Sequence, residues 1–136
     1  MLTVTTEPLP GLQGAVLIRV AGEWRDAVEL TAVLEAETAR GIRAGILDLS
    51  KVRYLTSPSV GMLVKYGDLW RRDGPGLVLA VPAKIRIVLE MLGLDAFFPI
   101  YKDVTTAVEE LKELPARLAR AHEAALGREH ERLRAK

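Results

Sequence analysis

Two kinds of apolar pattern alternate along the first 113 residues, and this alternation restricts the fold more than any other feature. Short runs that are typical of strands lie at 2–5, 15–20, 45–49, 77–81 and 98–101. Stretches with a helical period lie at 26–41, 58–74 and 83–92, and after Asp103. The order β-β-α-β-α-β-α-β-α predicts an α/β fold, with a mixed, mostly parallel sheet of four to five strands and helices packed on it.

Several helix ends can be placed from residue type. Asp26 and Glu29 have the spacing of a capping box, which predicts the start of the first helix. Ser57 before Pro58 predicts an N-cap followed by a proline at the first helical position of the second helix. Gly93 predicts the end of the third helix.

Charge divides the chain into a domain over 1–113 and a C-terminal helical extension over 114–136. After Leu114 there are six basic residues against three acidic ones, although the whole chain has a net charge of only +1. The domain is therefore slightly acidic and has no basic field for nucleic acid. For the extension, a weak coiled-coil seam, a helix docked on the domain and a frayed solvated helix all remain open.

Residue types that carry much enzymatic chemistry are missing from the domain. The chain has no cysteine, and both histidines, His122 and His130, lie in the extension, eight residues apart. We therefore expect no catalytic site, no metal site and no cofactor. Asp48 at the end of a strand is better interpreted as a hydrogen-bonded structural residue than as a catalytic one.

The sequence also bears on cellular location. It contains no apolar run of about 20 residues, which a membrane-spanning helix needs. Its N-terminus lacks the pattern of a signal peptide. These observations predict a cytoplasmic protein without membrane insertion.

The turn before the second helix is rich in hydroxyl groups, at Thr56, Ser57 and Ser59. The N–H groups and the dipole of a helix N-terminus favour negative charge, so a phosphate on Ser57 would be well accommodated there. A serine before a proline is equally explained as a simple N-cap. The local pattern leaves both interpretations open.

The same region resembles the STAS domain family, the bacterial (SpoIIAA-like) anti-sigma factor antagonists. Residues 46–50, Ile-Leu-Asp-Leu-Ser, match the family's strand, and 55–61 match its turn in outline. Residues 76–81 and 88–97 are similar to the last central strand and the Gly-Leu-x-x-x-Phe helix end. The resemblance covers about residues 1–113 and implies the STAS fold.

The resemblance implies a non-enzymatic regulatory protein that binds an anti-sigma factor, often itself a serine kinase, and is switched by phosphorylation. It places the phosphoacceptor on Ser57, with Thr56 and Ser59 as alternatives. Thr56 stands where the family has an aspartate, Pro58 where it has a second serine, and Ser59 where it has a glycine. The alternative is a constitutive scaffold or interaction module, not phosphorylated, in a signalling or membrane-transport complex.

A partner-binding surface is expected around this turn. Its predicted members are Thr56, Pro58, Ser59, Met62 and Tyr66. Met62 and Tyr66 belong to a second apolar stripe on the helix, which either binds a partner or is covered by a neighbouring helix. A homodimer formed through the helices is a further expectation.

Overall fold

The computed structural model describes residues 2–9, 11–23, 28–53 and 55–113. The strands are β1 (Leu2–Pro8), β2 (Ala15–Gly22), β3 (Ala44–Val52), β4 (Gly76–Ala80) and β5 (Ile100–Tyr101). The helices are α1 (Val28–Ala39), α2 (Ser57–Asp73), α3 (Ala83–Met91) and α4 (104–113), with a 3₁₀ turn at Leu94–Ala96. This order confirms the predicted α/β succession, whereas the extension over 114–136 lies outside the described residues.

The five strands form one sheet in the order β1-β2-β3-β4-β5. β1 is antiparallel to β2, and all the other neighbouring pairs are parallel. The carboxyl ends of β2, β3 and β4 therefore lie side by side at one end of the strands, and the chain leaves β3 there to enter α2. The predicted mixed, mostly parallel sheet is confirmed.

Each face of the sheet has its own apolar core. Helices α1, α2 and α3 cover one face, where Leu34, Leu63 and Leu89 are fully buried. Helix α4 covers part of the other face, and its Ala107 and Leu111 pack in a cluster with strand residues. Because β3 and β4 lie between these layers, β4 and the first four residues of β3 are entirely apolar, whereas the polar residues of β3 lie nearer its carboxyl end.

The helix ends agree with the sequence in part. Gly93 has φ +75°, a conformation that favours glycine, directly after the end of α3 as predicted. The predicted strand over 98–101 is shorter, because the N–H of Phe98 donates to the carbonyl of Leu94 and remains part of the turn. Asp26, the predicted cap of α1, lies outside the described residues.

Candidate interaction site

The turn between β3 and α2 places hydroxyl groups beside the carboxyl ends of the parallel strands. Thr56 is the N-cap of α2, with extended backbone angles of φ −113° and ψ 165°, and its carbonyl accepts the N–H of Val60 at 3.0 Å. Ser57 is therefore the first helical residue rather than the N-cap, and Pro58 is the second. The predicted cap was displaced by one position, since proline is equally compatible with either site in the first turn.

The three hydroxyl residues differ sharply in accessibility. Ser59 is 0% exposed, and its hydroxyl lies 2.7 Å from that of Thr56, which is half-buried. Ser57 is exposed. The Thr56–Ser59 contact joins the N-cap to the first turn through side chains and leaves Ser57 as the accessible hydroxyl.

An apolar groove of about 200 Å³ adjoins Ser57. It is lined by residues of the turn, of α2 and of the end of α3, namely Leu55, Thr56, Ser57, Val60, Val88 and Leu92. Val60 and Leu55 are half-buried and pack against the main core. The accessible hydroxyl thus stands beside apolar side chains rather than in a polar surround.

The groove continues into an exposed apolar surface, here named the α3 patch and formed by Ile87, Val88, Met91 and Leu92. Met91 is 82% exposed and Ile87 57% exposed. A contiguous group of large apolar side chains on a surface is typical of a binding site. The patch therefore extends the candidate site from Ser57 along α3.

Met62 and Tyr66, predicted to contact a partner, are instead part of the core. They are 7% and 3% exposed, because α2 is packed between α1 on one side and Phe98 on the other. The alternative in which a neighbouring helix covers this stripe is correct. Burial of Ser59 likewise removes it from the predicted partner surface, whereas Pro58 is exposed and Thr56 is partly accessible.

Electrostatic evidence agrees with the structural role of Tyr66. Burial raises the pKa of the Tyr66 hydroxyl, and the nearby Glu35 carboxylate on α1, which accepts a hydrogen bond from it, raises this pKa further. Tyr66 therefore links α2 to α1 and is not available to a partner.

The described residues also bear on metal binding, on the role of Asp48 and on membrane insertion. Within them, no group of three histidine, aspartate or glutamate side chains could hold a metal ion. Asp48 accepts the backbone N–H of Ser50 at 3.0 Å, which agrees with the structural role expected for it. In the same described part of the chain, no helix is long and apolar enough to cross a membrane.

The α3 patch is the part of the site that sequence reasoning missed. One stripe of apolar residues is sufficient for a surface helix, and Ile85 and Leu89 provide it in α3. Four more large apolar residues lie between 87 and 92. This surplus was the available signal, but it does not show by itself which of the residues face solvent.

Comparisons with known proteins agree on one family. The model of the STAS domain matches residues 10–107. The fold is similar to that of an anti-sigma factor antagonist from Mycobacterium paratuberculosis, at 22% identity and a TM-score of 0.67, covering 82% of this chain and 95% of that one. It is also similar to the anti-sigma factor antagonist SpoIIAA in its unphosphorylated form, at 16% identity and a TM-score of 0.65, covering 81% and 96%. No curated protein matches the sequence.

Proposed function

The chain belongs to the STAS domain family, and from this premise we propose that it is a cytoplasmic, non-enzymatic antagonist of an anti-sigma factor. In this proposal its partner is a serine kinase that phosphorylates Ser57. The observation that carries the proposal is the position of Ser57, which is exposed at the start of α2 beside an apolar groove. The STAS unit is taken as 1–113, with 114–136 as a separate extension.

Unmodified protein would bind its partner through the groove and the α3 patch. These side chains are apolar, and their removal from water on binding is favourable at about 25 cal/mol per Å². Of the partner contacts expected from the sequence, Thr56 lines the groove and Pro58 is exposed in the first turn of α2, so these two are kept in the proposal. The hydroxyl of Ser57 would lie inside the interface.

Phosphorylation of Ser57 would act differently on the free protein and on the complex. In the free protein the added charge, about −1.5 to −2, would lie at the positive end of the α2 dipole and remain in water. In the complex the same charge would be removed from water against the apolar side chains of Val88 and Leu92, and the α2 dipole would offset only part of that desolvation cost. The fold would tolerate the modification while the interface would not.

A pair of substitutions at Ser57 tests the switch. Anti-sigma factor kinases of the source organism would be purified and titrated individually with each variant by isothermal calorimetry. Ser57→Ala should bind one of them as wild type does, whereas Ser57→Asp should lower the affinity at least tenfold. Thr105→Asp is the matched control, because Thr105 is an exposed hydroxyl residue in the first turn of α4, on the opposite face of the sheet. Equal affinity of Ser57→Asp and wild type would refute the switch.

The α3 patch needs its own test. Met91→Lys places a charge on the most exposed apolar side chain described and should weaken binding of the same kinase about tenfold or more, with an unchanged melting temperature. Val28→Lys is the control, since Val28 is also strongly exposed, at 71%, but lies on α1. Similar losses in both variants would argue against a binding role for the patch.

The altered turn favours a second candidate, the constitutive scaffold. Thr56 and Pro58 replace the aspartate and the serine that the family has on either side of its phosphoacceptor. Loss of that charge and stiffening of the turn would both hinder recognition by a kinase. Mass spectrometry of protein from its own host separates the candidates, since phosphate on Ser57 at high occupancy supports the switch and its absence under all growth conditions supports the scaffold.

A further inference from the structure

The two edges of the sheet differ in how they are protected. β5 has only two residues and follows Pro99, which has no N–H to donate. β1 has seven residues and pairs with β2 in an unbroken register from Leu2–Gly22 to Pro8–Val16. In the described part of the chain no strand pairs with the outer side of β1. A long, regular strand with an open edge is a template for another strand.

The register shows which backbone groups β1 presents to the outside. The N–H of Leu9 donates to the carbonyl of Ala15 at 3.1 Å, so this pair and every second pair along the ladder are the hydrogen-bonded ones. Odd-numbered residues of β1 therefore bond to β2. The backbone N–H and C=O groups of Leu2, Val4 and Thr6 point outwards. Pro8 also faces outwards but has no N–H to donate.

We propose that a second copy of this chain pairs with β1 in antiparallel orientation, which joins the two five-stranded sheets into one. Centred on Thr5, this pairing places Val4 of each copy opposite Thr6 of the other, and these residues exchange both N–H···O bonds. Leu2 lies opposite Pro8, where the missing N–H removes one bond without burying a donor. The strand is thus self-complementary about a two-fold axis.

The side chains of β1 are compatible with pairing to a second copy of the same strand. Thr5 faces Thr5 of the second copy, a favourable cross-strand pair. Glu7, the one charged residue of β1, falls opposite Thr3, so like charges do not meet. Glu7 is already paired with Arg19 of its own chain at 3.3 Å. A foreign strand would need its own matching pattern, whereas a second copy has one already.

This dimer is independent of the function proposed above. β1 is the outermost strand on one side of the sheet, and two strands separate it from β4, which leads into α3 and its patch. A contact limited to one strand is small, so we expect a weak dimer that dissociates on dilution. Kinase binding and dimerisation can therefore fail separately.

Sedimentation equilibrium of the full chain across micromolar to millimolar concentrations tests the proposal. Thr6→Pro removes an outward N–H without breaking a bond to β2, because Thr6 is exposed and its backbone faces away from that strand. We expect dimerisation to weaken at least tenfold. Thr6→Val keeps the N–H and should dimerise as wild type does. A monomeric wild type, or a dimer unaffected by Thr6→Pro, overturns the proposal, including the case of a dimer formed through the α3 patch.

Substitutions at Thr5 test the register of the proposed pairing between the two β1 strands separately. Thr5→Lys and Thr5→Glu each place two like charges opposite each other, and each alone should dimerise more weakly than wild type. An equimolar mixture of the two should restore association, because lysine then faces glutamate across the two-fold axis. Failure of the mixture to associate more strongly than either variant alone overturns the pairing centred on Thr5.

Discussion

The two ends of helix α2 have different environments although they belong to one regular helix. The first turn, 57–61, carries the exposed residues Ser57, Pro58 and Gly61, of which Ser57 lines the groove. The turns that precede the exposed residues 71–73, here called the buried end, carry Gly67 and Trp70, which are surrounded by Phe98, Thr38 and the sheet. The buried side chains fix the position of the helix on the sheet, whereas the side chains of the first turn can be changed without disturbing the core.

Trp70 offers the strongest test of the buried end. It is fully buried, its indole N–H donates to the Thr38 hydroxyl at 2.8 Å, and Gly45 beneath it has no room for a Cβ. Trp70→Ala should lower the free energy of unfolding by about 3–5 kcal/mol. Urea denaturation followed by circular dichroism measures this. Trp70→Phe should cost less, and a similar loss in both variants would show that the hydrogen bond rather than packing dominates.

Gly67 and Gly61 compare the two ends directly with the same substitution. A methyl group on Gly67 would overlap Cε1 of buried Phe98, so Gly67→Ala should destabilise the protein by about 1–3 kcal/mol. Thermal unfolding detects this loss. Combining Gly67→Ala with Phe98→Leu should recover part of it, and no recovery would mean that the overlap is not the cause.

Gly61→Ala is the counterpart at the exposed end. No heavy atom lies within 4 Å of a Cβ built there. Because alanine is favoured over glycine inside a helix, the substitution should raise stability by about 0.5–1 kcal/mol. Destabilisation by Gly61→Ala would contradict the contrast between the two ends.

Tyr66 gives a smaller, pH-dependent effect. Its pKa is raised in the folded state, so its contribution is fully present below the unfolded pKa of about 10 and is lost as the pH rises through the folded value. Unfolding by urea at a series of alkaline pH values should show this loss in wild type. Tyr66→Phe should have a flatter pH dependence, and an equally steep decline in both proteins would assign the effect to another group.

The order of strands and helices was predictable because it depends on local patterns. Alternation of β-branched runs with helical periods is readable along the chain, and Gly93 marks the end of α3 by its own backbone preference. The start of α2 was misplaced by one residue, since serine and threonine are both good caps and proline fits either early position. The accessible hydroxyl at Ser57 was identified, while the burial of Ser59 was not.

Sequence by itself determined the α/β order and the hydroxyl-rich turn that opens α2, because periodicity and helix-end preferences act over a few residues. Only the tertiary structure decided which apolar side chains are surface and which are core. Met62 and Tyr66 are buried because α1 packs beside α2, whereas Met91 and Ile87 are exposed because no described element covers that side of α3. Burial depends on neighbours that are distant in sequence, so one methionine is buried on α2 and another is exposed on α3.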